Sequence, residues 1–168
     1  DNFIFRDSNF FNVNDGQSRH SGVELELRWQ ASQRLDVALA ATMASHTYRY
    51  NQEFGDININ GNDIDTAPNT IADVRIGYNF TPQVRAELEV NHVGEYYTDL
   101  ENLHEYEGHE LVNLRSSWQL TPELTLYARV NNLLDTAYAE RADFTSFGGD
   151  RYFPGRPRNY MLSATYSW

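Results

Sequence analysis

A period of two, running through most of the chain, limits what it can fold into more than any other feature. Val23, Leu25, Leu27 and Trp29 alternate with Glu24, Glu26, Arg28 and Gln30. Successive side chains of a β-strand point to opposite faces, so this pattern makes a strand with one apolar side. The apolar series recurs at Leu35, Val37, Leu39, Ala41 and Met43, and at Ala72, Val74, Ile76, Tyr78 and Phe80. It returns at Val84, Ala86, Leu88 and Val90, and at Val112, Leu114, Trp118 and Leu120. Leu124, Leu126, Ala128 and Val130 repeat it, and Tyr160, Leu162, Ala164, Tyr166 and Trp168 carry it to the last residue. No window of comparable length has a helical period of 3.6. With the opening stretch at Asp1–Arg6, the pattern predicts about eight strands, near the ~9–11 residues of a tilted membrane strand.

The connections alternate in length. Tight turns are expected at 31–34, at Thr81-Pro82 and at Thr121-Pro122. Proline pre-sets φ for a turn and cannot sit within a central strand. Long polar loops are expected over about 7–20, 50–67, 97–109 and 141–157. Short turns on one rim and long loops on the other are what an outer-membrane barrel shows.

Period two does not say which face is wet. A soluble calyx would turn its apolar face inward. Three observations favour the inverted arrangement. Trp29, Phe80 and Trp118 lie on the apolar face next to short turns, where an interfacial aromatic girdle belongs. The polar face carries both signs of charge on neighbouring strands, as a wet lumen allows. All 13 basic residues are Arg, whereas soluble sheets commonly use Lys on faces and edges. Composition excludes other classes. The net charge of −11 argues against a nucleic-acid partner. The absence of Cys removes disulfides, thiolate metal sites and Cys nucleophiles. Mean hydropathy is −0.63, a value an alternating barrel shares with a soluble protein.

More specific elements lie in the C-terminal third. Arg129-Val130-Asn131-Asn132-Leu133-Leu134-Asp135-Thr136-Ala137-Tyr138 resembles the V-x-N-L-x-D-x-x-Y segment of TonB-dependent outer-membrane receptors. Tyr152-Phe153-Pro154-Gly155-Arg156-Pro157-Arg158 resembles the Pro-Gly-Arg element entering their last strand, and Trp168 resembles its aromatic end. Ser21-Gly22-Val23-Glu24-Leu25-Glu26 resembles a strand start of the same family, and Gly108-His109-Glu110-Leu111-Val112-Asn113-Leu114-Arg115 is similar to a segment of such receptors. The resemblance implies an all-β fold: an antiparallel transmembrane β-barrel with about eight strands here, the C-terminal part of a 22-stranded barrel. Residues 1–168 would then be wall, with the family's plug domain outside the chain. The opening residues read as mid-strand, without the pattern of a secretory leader.

The resemblance further implies a bacterial outer-membrane location and import of a scarce nutrient, a siderophore-type cargo first. The expected partners are outer-membrane lipid, lipopolysaccharide and, through the plug, the TonB complex. No cofactor, resident metal or enzymatic activity is expected. Two alternatives stand beside this: a small complete eight-stranded barrel with a structural or adhesive role, and a soluble lipid-binding calyx.

Candidate sites are few. Asp56-Ile57-Asn58-Ile59-Asn60-Gly61 mimics the start of a calcium loop, with Asp63 and Asp65 nearby, but position twelve is Ala67 instead of Glu. A polar turn accounts for it better. His104-Glu105-Tyr106-Glu107-Gly108-His109 has histidines five apart, one too many for a shared helical face in a zinc protease. Tyr96, Tyr97, His104, Tyr106 and His109 instead suit contact with an aromatic or metal-bearing cargo. Arg151, with Arg156 and Arg158, makes the last loop basic and able to meet carboxylate or phosphate. Pairing of Arg151 with Asp143 or Asp150 is the structural alternative.

Overall fold

The computed structural model describes residues 2–6, 12–50 and 58–168; side chains are described from residue 16 onward. It has twelve strands and no helix among the described residues. The strands are β1 (Asn2–Arg6), β2 (Asn12–Gln30), β3 (Leu35–Tyr48), β4 (Thr70–Thr81), β5 (Val84–Val93), β6 (Tyr96–Tyr97), β7 (Glu105–Tyr106), β8 (His109–Gln119), β9 (Leu124–Asn131), β10 (Ala139–Thr145), β11 (Gly149–Pro154) and β12 (Asn159–Tyr166). Eight form one sheet in the order β1-β2-β3-β4-β5-β8-β9-β12, every pairing antiparallel. The expected count of eight wall strands therefore holds. The sheet is open: β1 and β12 do not pair with each other among the described residues. The described strands thus form no closed eight-stranded barrel.

The expected loops need correction. Residues 12–20 are the outer end of β2, which continues unbroken to Gln30. The stretch 97–109 contains most of a two-stranded hairpin, β6–β7, and 141–157 contains most of another, β10–β11. These strands are too short, or too polar, to show alternation. Part of the calcium-like stretch, Asp56 and Ile57, lies outside the described residues.

Register lines up the faces from strand to strand. Leu27 faces Leu39, Leu39 faces Val74, Val74 faces Val90 and Val90 faces Val112. The next row runs Trp29, Val37, Ile76, Leu88, Leu114, Val130 and Tyr160. These apolar rows are turned outward. Val23 is 72% exposed and Leu162 83%. Trp29, Phe80 and Trp118 are also exposed, at the short-turn end. Toward the other rim the outward face turns polar, where His92 faces Glu110. An apolar band of this extent is costly in water and matches a bilayer. A calyx requires the reverse, so that alternative falls.

The inward face is polar and partly buried: Glu89 is 5% exposed and Asn113 7%. A one-residue slip in any ladder would exchange the two faces, so the register carries the whole arrangement.

In a bilayer, Leu88→Arg on the outward face should cost roughly 2–4 kcal/mol. Ser117→Arg, on the inward face of the adjoining strand, should cost far less. Urea unfolding of the protein folded into lipid vesicles reads both, and equal losses would contradict the face assignment.

Candidate functional site

Two regions hold the chemistry: the inward wall and the cluster of loop hairpins above it. On the wall, charges meet across strands. Arg85 donates to both oxygens of Asp36, at 2.7 and 2.9 Å, although 49 residues separate them. The guanidinium reaches Asp36 by lying over Gly77 of the intervening strand, where any Cβ would collide with it. A glycine at this inward position is therefore a requirement of the pair. Glu89 accepts from Arg115 at 2.7 Å and from Asn113 at 3.3 Å, and Arg75 Nε lies 3.3 Å away. Arg75 also meets Asp73 at 2.8 Å. The bidentate Arg85–Asp36 pair is the strongest of these, and the more exposed ones contribute little each. The wall is a balanced polar surface without an isolated acid–base pair.

The hairpins form the second region. β6–β7 rises from the connection between β5 and β8, and β10–β11 from that between β9 and β12. They dock through tyrosine hydroxyls on backbone amides. Ala142 N–H donates to Tyr96 Oη at 2.9 Å, and Ala139 N–H to Tyr106 Oη at 3.0 Å. Phe144 N–H donates to the Thr98 carbonyl at 3.0 Å. Tyr96, Tyr106, Ala139 and Ala142 are buried together. A buried amide without a partner is expensive, so two tyrosines capping one foreign strand hold it firmly.

The structure thus brings the sequence-selected residues into one cluster. His109 Nδ1 lies 3.0 Å from Tyr106 Oη, and its ring meets that of Tyr138 at 4.7 Å between centroids. His104 stacks on Phe144 at 3.7 Å, with Nδ1 3.1 Å from Asp150. Arg151 Nε donates to Asp143 at 2.6 Å, and Arg141 donates to its other oxygen, also at 2.6 Å. Tyr96 and Tyr106 are buried in docking; Tyr97, His104 and Arg151 keep exposed surface. Burial raises the Tyr96 hydroxyl above its ordinary range, which keeps it neutral. Among the described residues no group of three His, Asp or Glu side chains stands placed to hold a metal.

The two elements that carried the resemblance face each other at the base of the β10–β11 hairpin. Asn132, 2% exposed and at φ +51°, accepts from Thr136 N–H at 2.8 Å. Its side-chain amide donates to the carbonyls of Thr136 at 2.9 Å and Arg156 at 3.3 Å. Asn tolerates a positive φ and can bond its own loop, which suits it to this corner. Asp135 accepts from Arg158 N–H at 2.9 Å, and the Tyr138 ring lies flush on Gly155, where a Cβ would not fit. Both elements therefore act in shaping the loop.

Sequence reasoning missed two features. Gly77 shows its purpose only once Asp36 and Arg85 are placed on either side of its strand. His20 and His46 face each other across β2 and β3. That pairing was readable in principle, since each lies ten residues from its member of the Gln30↔Asp36 pair at the base of the hairpin.

Comparison with known proteins agrees with this geometry. A family model described as TonB dependent receptor-like, beta-barrel, matches residues 1–133, ending inside the Arg129–Tyr138 element. The siderophore receptor PiuA of Acinetobacter baumannii superposes with a TM-score of 0.83 at 18% identity, over 98% of this chain and 24% of that one. The ferric citrate transporter FecA, in unliganded form, gives 0.78 at 19% identity, over 98% and 27%. The ferric yersiniabactin uptake receptor FyuA of Yersinia pestis gives 0.77 at 19%, over 93% and 24%. The chain spans about a quarter of the length of these solved receptors.

The Asp143 node gives a pH prediction. The hydrogen bond from Arg151, reinforced by the Arg151 and Arg141 charges, holds the Asp143 carboxyl below its ordinary value of 3.8. The folded state then binds the proton less well than the unfolded one. Its contribution is complete above about pH 4 and is lost as pH falls through the lower folded value. Hydrogen-exchange protection over 139–154 should hold from pH 7 to about 4 and decline below it. Asp143→Asn should show weak protection already at pH 7; a variant that titrates like the parent would contradict the node.

Proposed function

The chain belongs to the TonB-dependent receptor-like β-barrel family, and from that premise we propose that it is the C-terminal wall of an outer-membrane receptor importing a ferric siderophore. The observation that carries the reading is the outward apolar band backed by an inward charged wall, within a stretch the family model matches over residues 1–133. Solved proteins with this fold include receptors named for a siderophore, ferric citrate and ferric yersiniabactin, which supports a chelated ferric ion as the cargo class.

In this account the strands do two jobs. The outward face sits in lipid, with lipopolysaccharide around its outer rim. The inward face lines a wide lumen, whose matched charges leave it wet without a strong field of one sign. The open sheet needs further strands to satisfy the edges of β1 and β12. A plug filling that lumen would pass the work of the TonB complex to the cargo, as in the family. The docked hairpins form part of the outer vestibule. Tyr97, His104 and Arg151 would meet the cargo there, with Tyr96, Tyr106 and His109 fixing the hairpins that carry them. Aromatic faces and a guanidinium suit an anionic catecholate- or carboxylate-bearing chelate.

The test is uptake. A strain lacking the gene, starved of iron, should grow on one ferric siderophore only when the full-length receptor is restored. Purified receptor should bind that ferric chelate, and His104→Ala with Arg151→Ala should weaken binding about 10-fold or more, roughly 1.4 kcal/mol. Normal growth of the deletion strain on every ferric chelate, with no binding, would contradict the reading.

A further inference from the structure

We propose that His20 and His46 form a two-imidazole site for a divalent copper ion at the loop-side end of the inward wall. The two residues occupy directly opposed positions of the β2–β3 ladder, on the face that carries Glu24, Glu26 and Arg28. Their Nδ1 atoms lie 2.8 Å apart, and their ring centroids 5.0 Å apart at 54°. Ser18 Oγ lies 2.8 Å from Nε2 of His20. All of these contacts are on exposed side chains.

The arrangement is more than a register pin. The β2–β3 ladder runs without a break from Ser18↔Tyr48 to Gln30↔Asp36, so backbone bonds already fix the register. The alternation of the strands puts two ligating nitrogens at the same point of the wall. A hydrogen bond between two Nδ1 atoms needs one of them unprotonated. In the tautomer in which Ser18 Oγ accepts from Nε2–H, His20 presents its Nδ1 lone pair to a metal. A supporting hydrogen bond of this kind is what ordinarily orients a ligating histidine.

The ligand type selects the metal. The 2.8 Å between the two Nδ1 atoms is a hydrogen bond, and it shows that both nitrogens reach one point of the wall. Square-planar nitrogen sites favour copper(II) or nickel(II), and copper stands at the top of the divalent affinity order. Binding requires each ring to turn about its Cβ–Cγ bond until both lone pairs meet at one point. It also requires His46 to move its proton from Nδ1 to Nε2 by way of water, which leaves both rings neutral. No His, Cys, Asp or Glu is grouped with the two histidines as a further ligand among the described residues. The site does not depend on the cargo class proposed above.

Electron paramagnetic resonance of the full-length receptor, purified in detergent without an affinity tag and titrated with copper(II), tests the proposal. The first equivalent should give a tetragonal signal with superhyperfine splitting from two nitrogens. His20→Ala and His46→Ala should each abolish that equivalent, weakening binding by more than the about 10–100-fold that loss of a supporting group costs. His104→Ala should leave it intact. Heat-dependent gel mobility shows whether each variant is folded, and His20→Gln and His46→Gln replace any alanine variant that is not. Absence of the two-nitrogen signal in the parent protein overturns the proposal. So does its survival in a folded variant of either histidine.

Discussion

Everything in this chain depends on keeping an unbroken antiparallel ladder in register. In an apolar solvent a backbone amide has no water to turn to, so each strand must satisfy its polar groups on its neighbours. The β2–β3 ladder does so over thirteen consecutive pairs, and those from β3 to β5 and β8 continue it. Because side chains alternate, the same register decides chemistry on both faces. It sends Leu27, Leu39, Val74, Val90 and Val112 outward in one row. It also sets Arg75 beside Glu89 and Glu87 beside Arg115 on the inside.

The loop hairpins inherit that order. β6–β7 and β10–β11 have too few residues to stand alone as isolated pairs of strands. They are held because β5, β8, β9 and β12 deliver their ends at fixed places. From there Tyr96 and Tyr106 reach the amides of β10, and Asn132 ties the end of β9 to the approach of β12. Asn113, on the wall, accepts from the Asn132 amide at 2.9 Å and donates to Asn91 at 2.8 Å. Wall and loop hairpins are thus joined by hydrogen bonds, and a change in the wall's register would be felt in the loops.

The wall was legible in the sequence because its signal is local. Val84 to Val90 states its period within seven residues, and the proline turns mark where strands reverse. The hairpin cluster was only partly legible. Tyr96, Tyr97, His104, Tyr106, His109 and Arg151 stood out as aromatic, imidazole and basic groups in polar stretches, and they do gather in one place. Their pairing could not be read, because a hydroxyl bonded to an amide 33 or 46 residues away leaves no local pattern. The strand content of 12–20 was hidden for a different reason: Val13 is the one apolar side chain in the sequence from 12 to 20, so the stretch lacks the alternation that marks strands farther down. Gly77 carries no local signal in β4, and only the long-range Asp36–Arg85 pair gives it a purpose.

The central claim is that odd and even positions of one strand face different solvents. Spin labels placed singly at residues 85 to 91 of β5, in the full-length receptor reconstituted in lipid bilayers, measure this through collisions with oxygen and with a water-soluble nickel chelate. Labels at Ala86, Leu88 and Val90 should be relaxed mainly by oxygen, and labels at Arg85, Glu87, Glu89 and Asn91 should not. Equal oxygen accessibility along the strand, or the opposite alternation, would contradict the account.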